Sequence, residues 1–270
     1  MHLLVADRVA TALAGGDAHL PLVLAGSIAP DADKLGLCPR PVSHFLDLGA
    51  PGSGAGADVS GALTLLHTHP ELAAARLSPP ARAFVAGYLC HLVADEQWLL
   101  TIARPYFGRA LAAGDPLAGE TLLWALHLLR DARLAGDARL RHLLARLRVA
   151  PLDQLPPRLL PFLPAAAIAT FRREVLLQAA LPPGHARAAF VLTGRERTTG
   201  VARSADEVAT HDAFLASLPA LMERAAVVVP AAALAEFDRR AADESAALLG
   251  DYLAGRPLRP PTGTAPHPGT

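Results

Sequence analysis

The sequence predicts an all-α protein, and three observations support this prediction. Alanine and leucine are the most frequent residues, β-branched runs are scarce, and aromatic residues make up only 5% of the chain, so intrinsic propensity favours helix. The segments between clusters of proline and glycine are about 12 to 25 residues long, a length typical of helices. Hydrophobic residues make up 52% and charged residues 19%, which excludes global disorder and allows a sizeable core.

Helix boundaries follow from capping residues and from the spacing of apolar positions. Ser78 precedes two prolines, as an N-cap does, and Ser204 with Glu207 three positions later is a capping-box pattern. Residues 15–57 and 183–203 lack a sustained period and are predicted to be connections, the first of them long enough to be functional. Helices are predicted near residues 2–14, 58–69, 79–100, 116–134, 137–147, 160–181, 204–226 and 230–254.

The simplest domain organisation is one all-α, metal-binding domain over residues 1–254. Within it, residues 204–254 are expected to pack as a helical hairpin. Residues 255–270 are rich in proline and are expected to form a disordered tail.

Charge and composition exclude several function classes. The chain has 25 Lys plus Arg and 25 Asp plus Glu, so no overall positive field exists to hold a nucleic acid. We therefore do not expect a nucleic-acid partner. Two cysteines cannot form a disulfide framework. The first residues lack the basic region of a secretory signal, and no run of about 18 uncharged apolar residues is present. We therefore expect a cytoplasmic protein without a transmembrane segment.

The most informative pair is His91 and Asp95, which lie four residues apart in a predicted helix. This spacing places an imidazole and a carboxylate on one face, one turn apart. Their neighbours are apolar, and a buried carboxylate requires a partner. A divalent metal is one such partner, and a plain hydrogen bond between His91 and Asp95 is the other.

Three further segments offer metal-ligating side chains. His2 opens the first predicted helix, Asp31 follows the turn that begins at Gly26, and His44 lies in the segment SHFLD at 43–47. Each has an ordinary alternative, such as a frayed terminal residue, a turn aspartate or an exposed loop histidine. Together they supply the imidazoles and carboxylates that suit zinc.

These segments resemble the zinc-dependent phospholipase C family, whose fold is shared with the single-strand-specific zinc nucleases, and in particular its intracellular, uncharacterised branch. The resemblance covers roughly the first 100 residues. The motifs are HLLVADRVA at 2–10, GSIAPD at 26–31, SHFLD at 43–47 and GYLCHLVAD at 87–95, in the order of the family.

The resemblance implies a function and a ligand set. One metal would be held by Asp31, His44, His91 and Asp95, and Asp95 would bridge to a second metal that His2 also binds. Such a centre would activate water and stabilise in-line displacement at phosphorus, with Asp31 and Asp95 as the catalytic carboxylates. The expected activity is hydrolysis of a small-molecule or lipid phosphoester, and the expected cofactor is zinc.

The chain also departs from the family pattern. After Asp95 no histidine occurs until His127, so a mononuclear or dinuclear centre is expected rather than a trinuclear one. His127 and Asp131 repeat the four-residue spacing of His91 and Asp95, but the adjacent Arg130 indicates a solvated face. The alternative interpretation is that His127 is a replacement metal ligand. Lys34 and Arg40 are either phosphate-binding residues or solvated loop charges.

Two other functions remain open from the sequence. One is a non-catalytic helical scaffold or binding protein with a structural metal or none. The other is a peripheral membrane enzyme that contacts anionic lipid through the Arg133–Arg148 helix, although helix solubility also explains these arginines.

Overall fold

The structure, a computed structural model, describes residues 1–10, 16–45, 60–114 and 119–259. Every regular element within these residues is helical, which confirms the all-α prediction. The α-helices are α1 (His2–Ala10), α2 (Gly16–Gly26), α3 (Arg40–His44), α4 (Gly61–Thr68), α5 (Pro79–Trp98), α6 (Gly108–Ala112), α7 (Glu120–Leu134), α8 (Ala138–Arg148), α9 (Ala165–Ala180), α10 (His185–Leu192), α11 (Gly194–Thr199), α12 (Ala205–Val228) and α13 (Ala231–Leu253).

Tighter and wider helical turns complete the fold. A π-helix, Leu99–Phe107, continues directly from α5 and contains Pro105. The 3₁₀ helices are Ala29–Leu35, Pro70–Leu72, Ala74–Arg76 and Leu152–Gln154.

The prediction that residues 15–57 form a loop is wrong for the part that the structure describes. This part contains α2, the 3₁₀ helix Ala29–Leu35 and α3. Residues 20–25 of α2 are buried on all sides, so no polar face exists to produce a helical period in the sequence, and Pro21 interrupts the pattern further. The connection predicted at 183–203 likewise contains two short helices, α10 and α11.

The capping residues act as predicted. The Ser204 hydroxyl accepts a hydrogen bond from the Glu207 N–H at 3.2 Å, and the Glu207 carboxylate accepts one from the Ser204 N–H at 2.8 Å. The Ser78 hydroxyl accepts from the Ala81 N–H at 3.5 Å. Residues 11–14 of the first predicted helix, Asp47 and residues 260–270 of the predicted tail lie outside the described residues.

Helix α5 is the central element, and it packs against α1, α2, α4 and α13. Its Phe84, Tyr88 and Leu89 are fully buried. The Tyr88 hydroxyl donates a hydrogen bond to the Ser43 carbonyl at 2.5 Å and so ties α3 to the core. Because most of the surface of this helix is buried, its polar residues His91 and Asp95 require partners.

Two glycines allow α2 and α5 to cross with their backbones in contact. A Cβ on Gly26 would lie 2.0 Å from the Phe84 carbonyl oxygen, and one on Gly87 would lie 1.9 Å from the Val23 carbonyl oxygen. No side chain fits at either position, because backbone atoms cannot rotate away. This crossing brings the end of α2 to the middle of α5.

The two C-terminal helices contact different parts of the protein. α12 packs against α7, and α13 packs against α5. Within the residues described, no single helix is long and apolar enough to cross a membrane, and α12 and α13 meet that criterion only when taken together across a bend of 78°.

The crossing gives the first testable prediction. Gly87→Ala should destabilise the protein by about 1–3 kcal/mol, because the added methyl group overlaps a backbone oxygen. Gly250→Ala is the matched control, since Gly250 lies in α13 with only the tip of Arg256 nearby, at 3.8 Å. The control should gain about 0.5–1 kcal/mol from helix propensity. Urea denaturation measures both, and equal effects would contradict the close approach.

Candidate metal centre

Four separate elements bring the five predicted ligands together. His2 is the first residue of α1, Asp31 lies in the 3₁₀ helix Ala29–Leu35, His44 ends α3, and His91 and Asp95 lie on one face of α5. His44 and His91 are 1% and 0% exposed, so the cluster is built inside the core.

The imidazoles point their Nε2 atoms at the carboxylates. His44 Nε2 lies 3.6 Å from Asp31 Oδ1 and 3.5 Å from Asp95 Oδ2. His91 Nε2 lies 3.7 Å from the same two oxygens. His2 Nε2 lies 3.6 Å from Asp95 Oδ1. These separations are too long for hydrogen bonds.

The same distances suit ligand atoms around a metal ion. Tetrahedral zinc with bonds of about 2.0–2.1 Å places neighbouring ligand atoms about 3.4 Å apart. The Nε2 atoms of His44 and His91 are 3.4 Å apart. The buried His and Asp groups are thus positioned to hold a metal ion. Three overlapping sets have ligand atoms within 4.8 Å of one another: His2, Asp31 and His91; His44, His91 and Asp95; Asp31, Asp33 and His44.

Hydrogen bonds on the far side of two rings orient them, and one of these bonds fixes a tautomer. His91 Nδ1 lies 2.8 Å from the Ser27 carbonyl, which can only accept, so Nδ1 carries the proton. The Ser43 hydroxyl lies 2.9 Å from His44 Nδ1 and 3.3 Å from the Arg40 carbonyl. When its proton goes to the carbonyl, its oxygen accepts from His44 Nδ1. Both neutral rings then present the Nε2 lone pair to the cluster. Such partners orient histidine ligands in metal sites.

Asp31 brings to the cluster a carboxylate oxygen that lacks a hydrogen-bond partner. Asp31 Oδ1 is buried and accepts no hydrogen bond, and its histidine neighbours lie beyond hydrogen-bond distance. A buried anionic oxygen without a partner is costly. A cation bound between Asp31 and the histidines would satisfy it, so the residues present fit a metal.

Two basic side chains of the ligand segment contact these carboxylates, and neither is a free loop charge. Lys34 Nζ lies 2.8 Å from Asp31 Oδ2. Arg40 bridges two residues, with Nη1 3.3 Å from Asp33 Oδ2 and Nη2 3.2 Å from Asp95 Oδ2. Both side chains are partly exposed, so they form the solvent side of the cluster.

The protonation states follow from burial and from neighbouring charges. Burial opposes ionisation of Asp95, yet the His91 and His2 imidazoles beside it hold its pKa below the ordinary value. Burial, and then the charge of His91, lower the pKa of His2 well below the ordinary value. Burial opposes the charge of His91, but Asp95 and Asp31 outweigh it and raise the His91 pKa. A metal at this position would displace a proton from His91.

The interpretation of His127 as a residue of a solvated face is wrong. Its ring lies against Trp98, with centroids 4.5 Å apart, and burial lowers its pKa to about 3. Arg130, whose charge suggested that face, is buried and forms an ion pair with Asp238 of α13 at 2.6 Å. Trp98 is packed between His127 and Phe237, in agreement with a packing role.

The structure adds positioning groups that the sequence interpretation did not assign. The Ser27 carbonyl and the Ser43 hydroxyl orient two histidine rings, and Asp33 joins the cluster through Arg40. For the two serines the only sequence signal is adjacency to the motifs, since Ser27 follows Gly26 and Ser43 precedes His44. Asp33 is visible in the sequence as a carboxylate two residues after Asp31, with a turn or N-cap role as the ordinary interpretation.

The chain matches no family model, no curated protein and no solved structure. The resemblance to the zinc-dependent phospholipase C family therefore stays a prediction from motifs, and the geometry of the cluster carries the functional argument.

Ser43→Ala tests the orientation of His44. Removal of the hydroxyl frees the ring and leaves Nδ1 without its hydrogen-bond partner, so the affinity of the cluster for a divalent metal should fall by about 10–100-fold. Ser27→Ala is the control, because the Ser27 hydroxyl bonds only to the Leu24 carbonyl while its backbone carbonyl still orients His91. Competition with a fluorescent chelator measures both affinities, and unchanged binding in Ser43→Ala would contradict the assigned role.

Glu96 predicts a pH dependence of stability. Its side chain is buried and accepts a hydrogen bond from the Gly61 N–H at 2.6 Å, and burial raises its pKa from 4.5 to about 7. The folded state thus holds this proton more tightly than the unfolded state does. Stability contributed by Glu96 is present below pH 4.5 and is lost as the pH rises to about 7, on the order of 3 kcal/mol.

Glu96→Gln keeps the acceptor for Gly61 and removes the titration. Urea denaturation between pH 4.5 and 8 should therefore show a flatter profile in the variant than in the wild type. Parallel profiles for the two proteins would exclude a raised pKa at this residue.

Proposed function

We propose that the chain is a metal-dependent hydrolase of phosphoesters, related to the intracellular branch of the zinc-dependent phospholipase C family. The observation that carries this proposal is the convergence of His2, Asp31, His44, His91 and Asp95 from four elements into one cluster at the expected spacing of metal ligands. Zinc in a mononuclear or dinuclear centre is the proposed cofactor, because three imidazoles favour it over magnesium or calcium.

The residues of the chain have distinct roles in this proposal. His44 and His91 offer oriented Nε2 lone pairs, and Asp31 and Asp95 supply the negative charge that holds a divalent cation. Zinc held there supplies Lewis-acid polarisation of a phosphoryl oxygen and a water nucleophile at neutral pH. The Asp31 and Asp95 carboxylates would hold the metal together with the histidines.

The solvent side of the cluster favours an anionic substrate. Arg40 and Lys34 are 39% and 43% exposed at the side chain and carry N–H donors that suit phosphate oxygens. Because the whole chain has no net charge, a small-molecule or lipid phosphoester is proposed rather than a nucleic acid. The proposed compartment is the cytoplasm.

A non-catalytic scaffold with a structural metal is the second candidate. The observation that favours it is the pairing of Lys34 with Asp31 and of Arg40 with Asp95, which already neutralises part of the cluster. On that proposal, the metal would tie α1, α3 and α5 together, and its removal would lower the melting temperature without changing a rate.

His91→Ala combined with Asp95→Asn tests the proposal. The wild type should retain about one or two equivalents of zinc by elemental analysis and should hydrolyse simple phosphodiesters, and the double variant should lose both properties. His211→Ala with Asp212→Asn is the matched control, because this adjacent pair lies on α12 outside the cluster and should leave both properties intact.

Two outcomes separate the candidates. Zinc binding without turnover of any phosphodiester or phosphomonoester, together with a melting temperature that falls on chelation, would support the scaffold. Metal and activity retained in the double variant would contradict both candidates at this cluster.

A further inference from the structure

Asp33 is a buried carboxylate beside the cluster that neither the motifs nor the proposed function employs. It lies in the same 3₁₀ helix as Asp31, two residues further on, and its side chain is only 8% exposed. Arg40 contacts its Oδ2 atom, but its Oδ1 atom is buried and has no hydrogen-bond partner. Asp31 Oδ1 is in the same condition, so two neighbouring aspartates each direct an unsatisfied oxygen into the protein.

The geometry assembles these residues into a ligand set with His44. Ligand atoms of Asp31, Asp33 and His44 lie within 4.8 Å of one another. A different set, His2, Asp31 and His91, meets the same limit. Asp31 is the only residue common to the two sets, so both can be filled at once when its carboxylate is shared.

The charges of the cluster leave room for added cations. Three carboxylates, those of Asp31, Asp33 and Asp95, face two fixed cations, Lys34 and Arg40. The cluster is therefore negative by one charge when its histidines are neutral. This excess favours a first divalent ion, and a second one competes with Lys34 and Arg40 for the same carboxylates.

We propose that Asp33 is a metal ligand and that Asp31, Asp33 and His44 form a second cation position. The histidine-rich position is then the one formed by His2, Asp31 and His91, and His44 serves the second position. The inference rests on the proposed function in taking this cluster as a metal centre. Two carboxylates and one imidazole form a harder donor set than His2, His91 and an aspartate do. The second position thus selects manganese(II) or a similar hard divalent ion, while the histidine-rich position selects zinc.

Metal titration followed by electron paramagnetic resonance tests this position without an activity assay. Protein loaded with one equivalent of zinc is titrated with manganese(II), whose hexaaquo signal disappears on binding. The wild type should bind about one equivalent, and Asp33→Asn should bind manganese at least about tenfold more weakly while its zinc is retained. Asp7→Asn is the matched control, because Asp7 is similarly buried and also paired with an arginine, Arg139.

The outcomes distinguish this inference from the proposed function. Equal manganese affinity in Asp33→Asn and wild type, with zinc bound in both, would overturn the assignment of Asp33 and leave the zinc centre intact. A wild type that binds neither metal would overturn both proposals. If Asp33→Asn does not fold, Arg40→Met removes the competing cation and keeps every ligand. Manganese should then bind more tightly, and unchanged or weaker binding would overturn the inference.

Discussion

The backbones of α2 and α5 touch at Gly26 and Gly87, and the cluster depends on this contact. Because the helices meet without intervening side chains, the Ser27 carbonyl at the end of α2 reaches His91 Nδ1 at 2.8 Å. The chain then turns directly into the 3₁₀ helix that carries Asp31. A larger separation of the helices would remove the acceptor of His91 and withdraw Asp31 from its partners. The geometry of the buried polar cluster thus depends on Gly26 and Gly87, which have no side chains.

Only some of the buried polar atoms of the cluster have hydrogen-bond or ion-pair partners. His44 and His91 each have one nitrogen satisfied by Ser43 or Ser27, and Lys34 and Arg40 satisfy one oxygen of their carboxylate partners. The Oδ1 atoms of Asp31 and Asp33 have no hydrogen-bond partner, and both are buried. A protein stabilised by this network alone would gain from closing those contacts, since unpaired buried polar atoms are costly.

Long helices with a polar face were predictable from the sequence, and buried or long-range features were not. The capping pair Ser204 and Glu207 and the period that follows it give α12 correctly. α2 has no polar face, so its sequence shows no alternation of apolar and polar residues with the period of a helix. His127 was misplaced because the partner that neutralises Arg130, Asp238, is more than 100 residues away in sequence. The four motifs did bring the cluster residues into view, but Asp33 and the ring acceptors depend on tertiary contacts.

The sequence left two explanations for His91 and Asp95, a plain hydrogen bond and a metal, and the distances argue against the hydrogen bond. His91 Nε2 lies 3.7 Å from Asp95, beyond a hydrogen bond, while Nδ1 makes a good hydrogen bond to Ser27 on the opposite side of the ring. His2 stacks on His91 with centroids 3.8 Å apart, so repulsion prevents both rings from carrying a proton. At most one of the two stacked rings carries a proton, so a proton satisfies only part of the space between the rings and the carboxylates. A multivalent cation would satisfy more of it, which favours the metal.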